Sequence, residues 1–300
     1  MKILITGGSG LIGTALCEKL QSRSHSLIVL TRTPEIAAKK LGADIRFLTD
    51  LNQIKPNENI DAVINLAGAP IADKRWTPKR KKILEDSRIQ LTANLIQQLA
   101  KLNQKPRVLI SGSAIGYYGN GEDNILSEQT QANDEFTHRL CAAWEMQALR
   151  AKAQGIRVCI LRTGIVIAPD GGMIKKLLPL FRLGLGAQLG NGKQWMSWIH
   201  ISDMTDLILY LLDNEEQSGI FNATSPNPVT NKVFTKELAK ALHRPALFTF
   251  PERLLKLIFG EMAHILITGQ HVIPKRLLQT DFHYDYPDIH KALENIRAKK

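Results

Sequence analysis

The opening residues, Lys2-Ile3-Leu4-Ile5-Thr6-Gly7-Gly8-Ser9-Gly10-Leu11-Ile12-Gly13, leave few architectures open. A short apolar, β-prone run drops without a linker into glycines spaced Gly7-x-x-Gly10-x-x-Gly13, and a helical apolar pattern (Leu11, Ile12, Ala15, Leu16, Leu20) begins inside the motif. The reading is a strand, a tight turn and a helix. Pyrophosphate binding calls for this geometry: one glycine turns the chain, a second lets backbone N–H groups approach the phosphates, and a third lets the helix pack on the strand. Gly7, Ser9, Gly10, Leu11, Ile12 and Gly13 are therefore candidate cofactor-binding residues. A tight turn with no ligand is the alternative, and the β/α alternation that follows weighs against it.

Leu27-Ile28-Val29-Leu30 reads as a second buried strand, ending in Thr31-Arg32-Thr33-Pro34. An acid at its end would hydrogen-bond the ribose hydroxyls of NAD and repel a 2′-phosphate. Arg32 stands there instead, and a guanidinium can hold that phosphate bidentately, so NADP(H) is expected. Ile45-Arg46-Phe47-Leu48 is a third strand, followed by Asp50 and Leu51 as a carboxylate and an apolar wall for an adenine ring. Ala62-Val63-Ile64-Asn65 is a fourth, running into Leu66-Ala67-Gly68, where small residues let backbone approach a ligand. A long amphipathic helix is expected from Pro78 to Leu102, with proline in its first turn. It carries Arg88, either a phosphate or ribose contact or an exposed helix arginine.

Val108-Leu109-Ile110-Ser111 is a fifth strand, a helix follows over residues 134–154, and Val158-Cys159-Ile160-Leu161 is a sixth strand. Strands alternating with helices at this pitch give an α/β fold, a Rossmann-type doubly wound parallel sheet with its ligand crevice at the strands' carboxyl ends. After Thr163 glycines punctuate the chain and helices outnumber strands. The expected division is a Rossmann domain over residues 1–165 and a smaller, mainly α substrate domain over 166–300, with segments after 195 returning to the first. Trp198-Ile199-His200-Ile201 reads as a strand entering a helix capped by Ser202 or Asp203. The apolar residues of 250–267 serve either the core of the second domain or a surface that pairs two copies into a homodimer.

The chain has 300 residues, 44% of them hydrophobic, enough for one large core or two smaller ones. No apolar run is long enough to span a bilayer and no signal pattern precedes the first strand, so no membrane association and a cytoplasmic location are expected. Cys17, Cys141 and Cys159 are far apart and fit neither a disulfide framework nor a zinc spacing; they read as small buried residues, and no metal is expected. The net charge of +11 is densest in Lys74-Arg75-Trp76-Thr77-Pro78-Lys79-Arg80-Lys81-Lys82. No nucleic-acid motif accompanies it, so it reads as a solvated helix start that favours an anionic cofactor.

Thr6-Gly7-Gly8-Ser9-Gly10-Leu11-Ile12-Gly13, Asn65-Leu66-Ala67-Gly68, Ser111-Gly112-Ser113-Ala114 and Leu161-Arg162-Thr163-Gly164 together resemble the extended short-chain dehydrogenase/reductase superfamily, of the NAD-dependent epimerase/dehydratase type. Residues 178–186, Trp198-Ile199-His200-Ile201-Ser202-Asp203 and Gly269-Gln270-His271-Val272-Ile273-Pro274-Lys275-Arg276 are similar to the branch with a C-terminal domain of unknown function, often labelled epimerase family protein or, on older labels, cell-division inhibitor. The resemblance covers nearly the whole chain and implies a Rossmann domain binding NADP(H).

The resemblance also exposes a departure. The superfamily's catalytic set is a Ser or Thr after the fifth strand plus Tyr-x-x-x-Lys on the next helix. Ser113 matches the first. Anchoring on Glu145, which matches the family's acid four residues after the lysine, places Thr137 where the tyrosine belongs and Cys141 where the lysine belongs. Neither can transfer a proton as a lysine-assisted phenol does near neutral pH. Tyr117 and Tyr118, on the loop after Ser113, are the candidate replacements, with core or lid aromatics as their other reading. His138 and His200 are the histidines near recognisable motifs. Two functions remain: an NADP(H)-dependent oxidoreductase or epimerase on a small polar, nucleotide-linked or free, carbonyl or hydroxyl compound, or an NADPH-dependent regulator acting through a protein partner.

Overall fold

The computed structural model describes residues 1–169 and 171–298. Seven parallel strands form its central sheet: β1 (Lys2–Thr6), β2 (Ser26–Leu30), β3 (Arg46–Leu48), β4 (Ala62–Asn65), β5 (Val108–Ala114), β6 (Arg157–Thr163) and β7 (Gly219–Ala223), in the order β7-β6-β5-β4-β1-β2-β3. Thr6 pairs with Leu30 on one side and with Asn65 on the other, so strand order reverses about β1. That reversal parts the loops at the strands' carboxyl ends and leaves a crevice over the glycine turn.

Helices α1 (Leu11–Ser22) and α2 (Pro34–Leu41) join β1 to β2 to β3; α3 (Pro78–Glu85) and α4 (Leu91–Ala100) lie between β4 and β5, and α5 (Phe136–Leu149) between β5 and β6. Beyond β6 come α6 (Gly172–Arg182), α7 (Ile201–Asp213), α8 (Asn231–Ala241), α9 (Glu252–Phe259), α10 (His264–Ile267) and α11 (Ile289–Ala298). Alternate strand residues face opposite layers. Ile3, Ile5, Val29 and Ile64 pack with Leu16 and Leu20 of α1 and Leu207 and Leu211 of α7, while Leu4, Ile28, Val63 and Leu109 pack with Leu95 and Leu99 of α4. Burial on both faces is why these strands read as nearly continuous apolar runs.

Residues after 195 contribute both α7 and the edge strand β7 to this layer. A separate core gathers Ile174, Leu178 and Phe181 of α6, Phe234 and Leu238 of α8, Leu293 and Ile296 of α11, and Trp198. Two local expectations need correction. The helix expected over 78–102 is interrupted by a π-helical turn, Asp86–Gln90, whose extra residue shifts the helical register between α3 and α4. The cap of α7 is His200, whose Nδ1 accepts from Ser202 N at 3.2 Å, rather than Ser202 or Asp203. Imidazole reach matches that of a short polar cap here because His200 stays extended before the first turn.

Cys17, Cys141 and Cys159 are all free and buried. The basic run of 74–82 is mostly exposed, at Lys74, Arg75, Lys79 and Lys82, while three of its cations reach protein partners: Arg75 donates to Ile258 O, Arg80 to Pro70 O, and Lys81 pairs with Glu261. Among the described residues, no helix is long and apolar enough to cross a membrane.

Candidate active site

The glycine turn is built as its spacing requires. Gly7 sits at φ +73°, and a Cβ there would lie 2.7 Å from the Leu66 carbonyl carbon. A Cβ on Gly13 would lie 2.3 Å from Gly7 O, so α1 docks on the turn only without a side chain at that position. Gly10 is the N-cap of α1 and offers no side-chain acceptor, which leaves the first-turn amides of Leu11 and Ile12 without a cap. Bare amides at the positive end of a helix suit an anion. Ser9 is half-buried, and its carbonyl accepts from Lys40 Nζ of α2 at 2.8 Å, which sets an ammonium at the rim of the turn. Nothing local in the sequence distinguishes Lys40 from the other lysines of a surface helix, so its place at the site emerges only in the fold.

Opposite the turn, Leu66 N donates to Thr6 O at 3.0 Å and Ala67 N to Thr6 Oγ1 at 3.2 Å. The Thr6 hydroxyl donates to Asn65 Oδ1 at 2.6 Å, and Asn65 Nδ2 donates to Thr92 Oγ1 at 2.9 Å. This buried polar floor fixes the loop Leu66-Ala67-Gly68. A Cβ on exposed Gly68 would lie 2.9 Å from the Arg88 guanidinium carbon. Arg88 rides on the π turn, donates to Ala69 O at 3.0 Å and Leu84 O at 3.2 Å, and lies over Trp144. Desolvation lowers its pKa from the usual arginine value. Among the described residues no carboxylate forms an ion pair with it, so a half-buried cation stands at the crevice lip uncompensated.

Arg32 is exposed directly after β2. Asp50 is exposed too, and its local work is capping: Oδ1 accepts from Asn52 N at 2.7 Å while Gln53 Oε1 accepts from Asp50 N at 3.1 Å. Leu51 packs partly buried against the Leu4 and Ile28 layer.

On the β5 side, the two candidate tyrosines part company. Tyr118 is 1% exposed; its hydroxyl donates to Asn222 Oδ1 at 2.7 Å and accepts from Arg162 Nη1 at 3.1 Å, and burial raises its pKa. Tyr117 is half-buried with its ring face 3.3 Å from the Arg162 guanidinium carbon, and among the described residues no protein group hydrogen-bonds its hydroxyl. Arg162 is clamped bidentately by Glu145, Nε to Oε1 and Nη2 to Oε2 both at 2.9 Å. Ser113 donates its proton to the same Glu145 Oε1 at 2.6 Å, leaving the hydroxyl oxygen as an acceptor. In the sequence Glu145 is visible only as an alignment anchor and Arg162 only as part of a motif; their pairing across 17 residues has no local signature.

Thr137 and Cys141 are both buried, and burial followed by the Glu145 charge pushes the Cys141 thiol up to about 11. His138 Nδ1 donates to Tyr117 O at 2.7 Å and its ring abuts Tyr117, which makes it a buttress for that side chain. Thr137 lies on the wall of a cleft of about 720 Å³, with Trp76 and Phe136 beside it and Lys256, Glu261 and His264 of the α9–α10 segment across from it. No sequence motif marks this segment as site-forming.

A family model described as NAD dependent epimerase/dehydratase matches residues 3–224. The chain belongs to that family. A second model, a domain of unknown function, matches residues 250–296, the stretch that supplies the far wall of the cleft. An epimerase family protein of Mycobacterium bovis is 36% identical over 97% of this chain and 96% of its own length. The structure of human epimerase family protein SDR39U1 with NADPH superposes with a TM-score of 0.92 at 30% identity, covering 100% of both chains. A nucleoside-diphosphate sugar epimerase from Corynebacterium glutamicum superposes with a TM-score of 0.76 at 30% identity, covering 98% of this chain and 57% of that one. In this epimerase-family chain the matched stretch takes in the glycine turn, Ser113, Glu145 and Arg162 together with Thr137 and Cys141.

Proposed function

We propose that this chain binds NADP(H) in the crevice over β1 and uses it as an oxidoreductase or epimerase on a small polar carbonyl or hydroxyl compound held in the Thr137 cleft. The observation that carries the reading is Arg88, a half-buried guanidinium with no carboxylate partner among the described residues, placed by a π turn opposite bare helix-start amides. A dinucleotide phosphate fits both. In this reading Leu11, Ile12 and Arg88 hold the pyrophosphate and its ribose, Arg32 and Lys40 meet the 2′-phosphate, and Asp50 and Leu51 border the adenine. The human relative's NADPH complex supports the choice of cofactor. The Corynebacterium relative supports a nucleotide-linked substrate.

Bound NADPH supplies a hydride. The protein's part is to seat and orient the substrate and to hold the proton. Ser113, with its own proton given to Glu145, accepts a substrate hydroxyl, and Tyr117 offers an unengaged phenol. Tyr118 is assigned to the scaffold. A second reading, the NADPH-dependent regulator, draws on the Ser113–Glu145–Arg162 chain, which leaves Ser113 no proton to donate to a carbonyl oxygen. The test is NADPH consumption with a panel of carbonyl compounds and nucleotide sugars. Turnover that falls in Ser113→Ala and Tyr117→Phe supports the enzyme; tight NADPH binding with no reacting compound supports the regulator.

A further inference from the structure

Building on the oxidoreductase reading, we infer that His264, held by Glu135 on the cleft wall, is the acid–base residue that serves this site in the absence of Tyr-x-x-x-Lys. His264 opens α10, and it shares the cleft of about 720 Å³ with Thr137, the residue at the missing tyrosine's position. Its Nε2 lies 3.0 Å from Glu135 Oε2, and the other Glu135 oxygen accepts from Asn120 N at 3.0 Å. Glu135 precedes α5 without capping it. Its carboxylate is held by loop backbone and aimed at the imidazole.

A carboxylate only accepts, so the shared hydrogen sits on Nε2 and the lone pair on Nδ1. Among the described residues no protein group hydrogen-bonds Nδ1, and the side chain is 42% exposed, so a molecule in the cleft can reach it. The charged groups around it are accounted for on each element. Glu252 and Lys256 of α9 pair with each other at 2.7 Å, and Glu261 pairs with Lys81 of α3 at 2.5 Å. Glu135 is the carboxylate left to balance an imidazolium.

Of the other titratable candidates, Tyr117 keeps an unengaged phenol but stacks on Arg162 and is not among the residues lining this cleft, and the rest are engaged elsewhere. Tyr118 is buried and doubly hydrogen-bonded, His138 Nδ1 serves Tyr117 O, His200 caps α7, and Cys141 is a neutral buried thiol. In the reductive direction the carbonyl carbon gains the hydride supplied by the reduced nicotinamide. The carbonyl oxygen takes the proton from Nδ1, and the imidazolium returns to its neutral form bonded to Glu135. In the oxidative direction the neutral Nδ1 receives the hydroxyl proton. A tether that merely pins α10 to α5 would need the ion pair and no more, so the test reads proton transfer as well as rate.

The full-length protein is compared with His264→Gln, His264→Asn and Glu135→Gln in three measurements: NADPH affinity by fluorescence, NADPH oxidation with aldehydes and ketones from pH 5 to 9, and the ring-nitrogen NMR spectrum of His264. Expected are an Nε2–H tautomer that loses its fixed form in Glu135→Gln, and a kcat lowered by about a hundred- to ten-thousandfold in His264→Gln. A limb of the wild-type pH profile between pH 5 and 9 should vanish in His264→Gln, added imidazole should restore part of the rate, and NADPH affinity should be unchanged. A His264→Gln enzyme within about threefold of an active wild type, with its pH limb intact, overturns this assignment alone. A wild type that binds NADPH but oxidises it with no compound overturns the assignment and the oxidoreductase reading together. A wild type that does not bind NADPH overturns the cofactor reading from which both descend.

Discussion

Arg88 and Glu145 hold charge inside the protein in opposite ways, and their substitutions should behave oppositely. Arg88 has hydrogen bonds but no counterion among the described residues, so Arg88→Met removes a desolvated cation without stranding a partner charge. Hydrogen bonds to charged groups contribute about 1.5–3 kcal/mol, so NADPH affinity should fall roughly tenfold to a hundredfold, while the melting temperature of the cofactor-free protein should not drop. Fluorescence titration and calorimetry check the two parts. Glu145→Gln leaves Arg162 buried and unpaired, which costs about 3–5 kcal/mol when one partner of such a pair is removed. Urea unfolding should show that loss, and the double change Glu145→Leu with Arg162→Met should recover much of it.

The joint between β1 and α1 depends on a missing side chain, and a control glycine separates crowding from backbone preference. Gly155, at φ +76° after α5, has open space within 4 Å of where a Cβ would stand, so Gly155→Ala meets only the left-handed penalty of about 1–2 kcal/mol. Gly13→Ala drives a methyl into Gly7 O and should cost more stability than Gly155→Ala and abolish NADPH binding, as denaturation and titration would show. The first turn of α7 carries a pH-dependent tie. Asp203 accepts from Asp285 N at 2.9 Å and Tyr286 N at 3.1 Å, and burial raises its pKa from 3.8 to about 6. The native state therefore binds this proton more tightly than the unfolded chain. Its stabilising effect is fully present below pH 3.8 and is lost as pH rises through about 6. Urea midpoints across that window should carry a falling component that disappears in Asp203→Asn.

Across the whole molecule, legibility in the sequence follows the distance between interacting residues. The glycine turn, the buried strands and the end of β2 are local features, and residues 2–13 and 26–32 display them without help from the rest of the chain. The acidic and basic partners of the site are not local. Ser113, Glu145, Arg162, Tyr118 and Asn222 form one hydrogen-bonded chain only because β5, β6 and β7 lie side by side. The cleft joins Trp76 and Thr137 to the α9–α10 segment, and His264 meets Glu135 across 129 residues, a pairing that no spacing rule reveals. The interruption of the 78–102 helix is equally hidden, since a π turn changes register without a glycine or proline to announce it. The same long-range assembly converges on one claim, that the crevice selects a phosphorylated dinucleotide. Titrating the protein with NADPH and with NADH, in wild type and in Arg32→Ala, addresses it most directly. NADPH should bind more tightly than NADH, and Arg32→Ala should narrow the gap by weakening NADPH alone; equal affinities in the wild type, or a preference unmoved by Arg32→Ala, would contradict it.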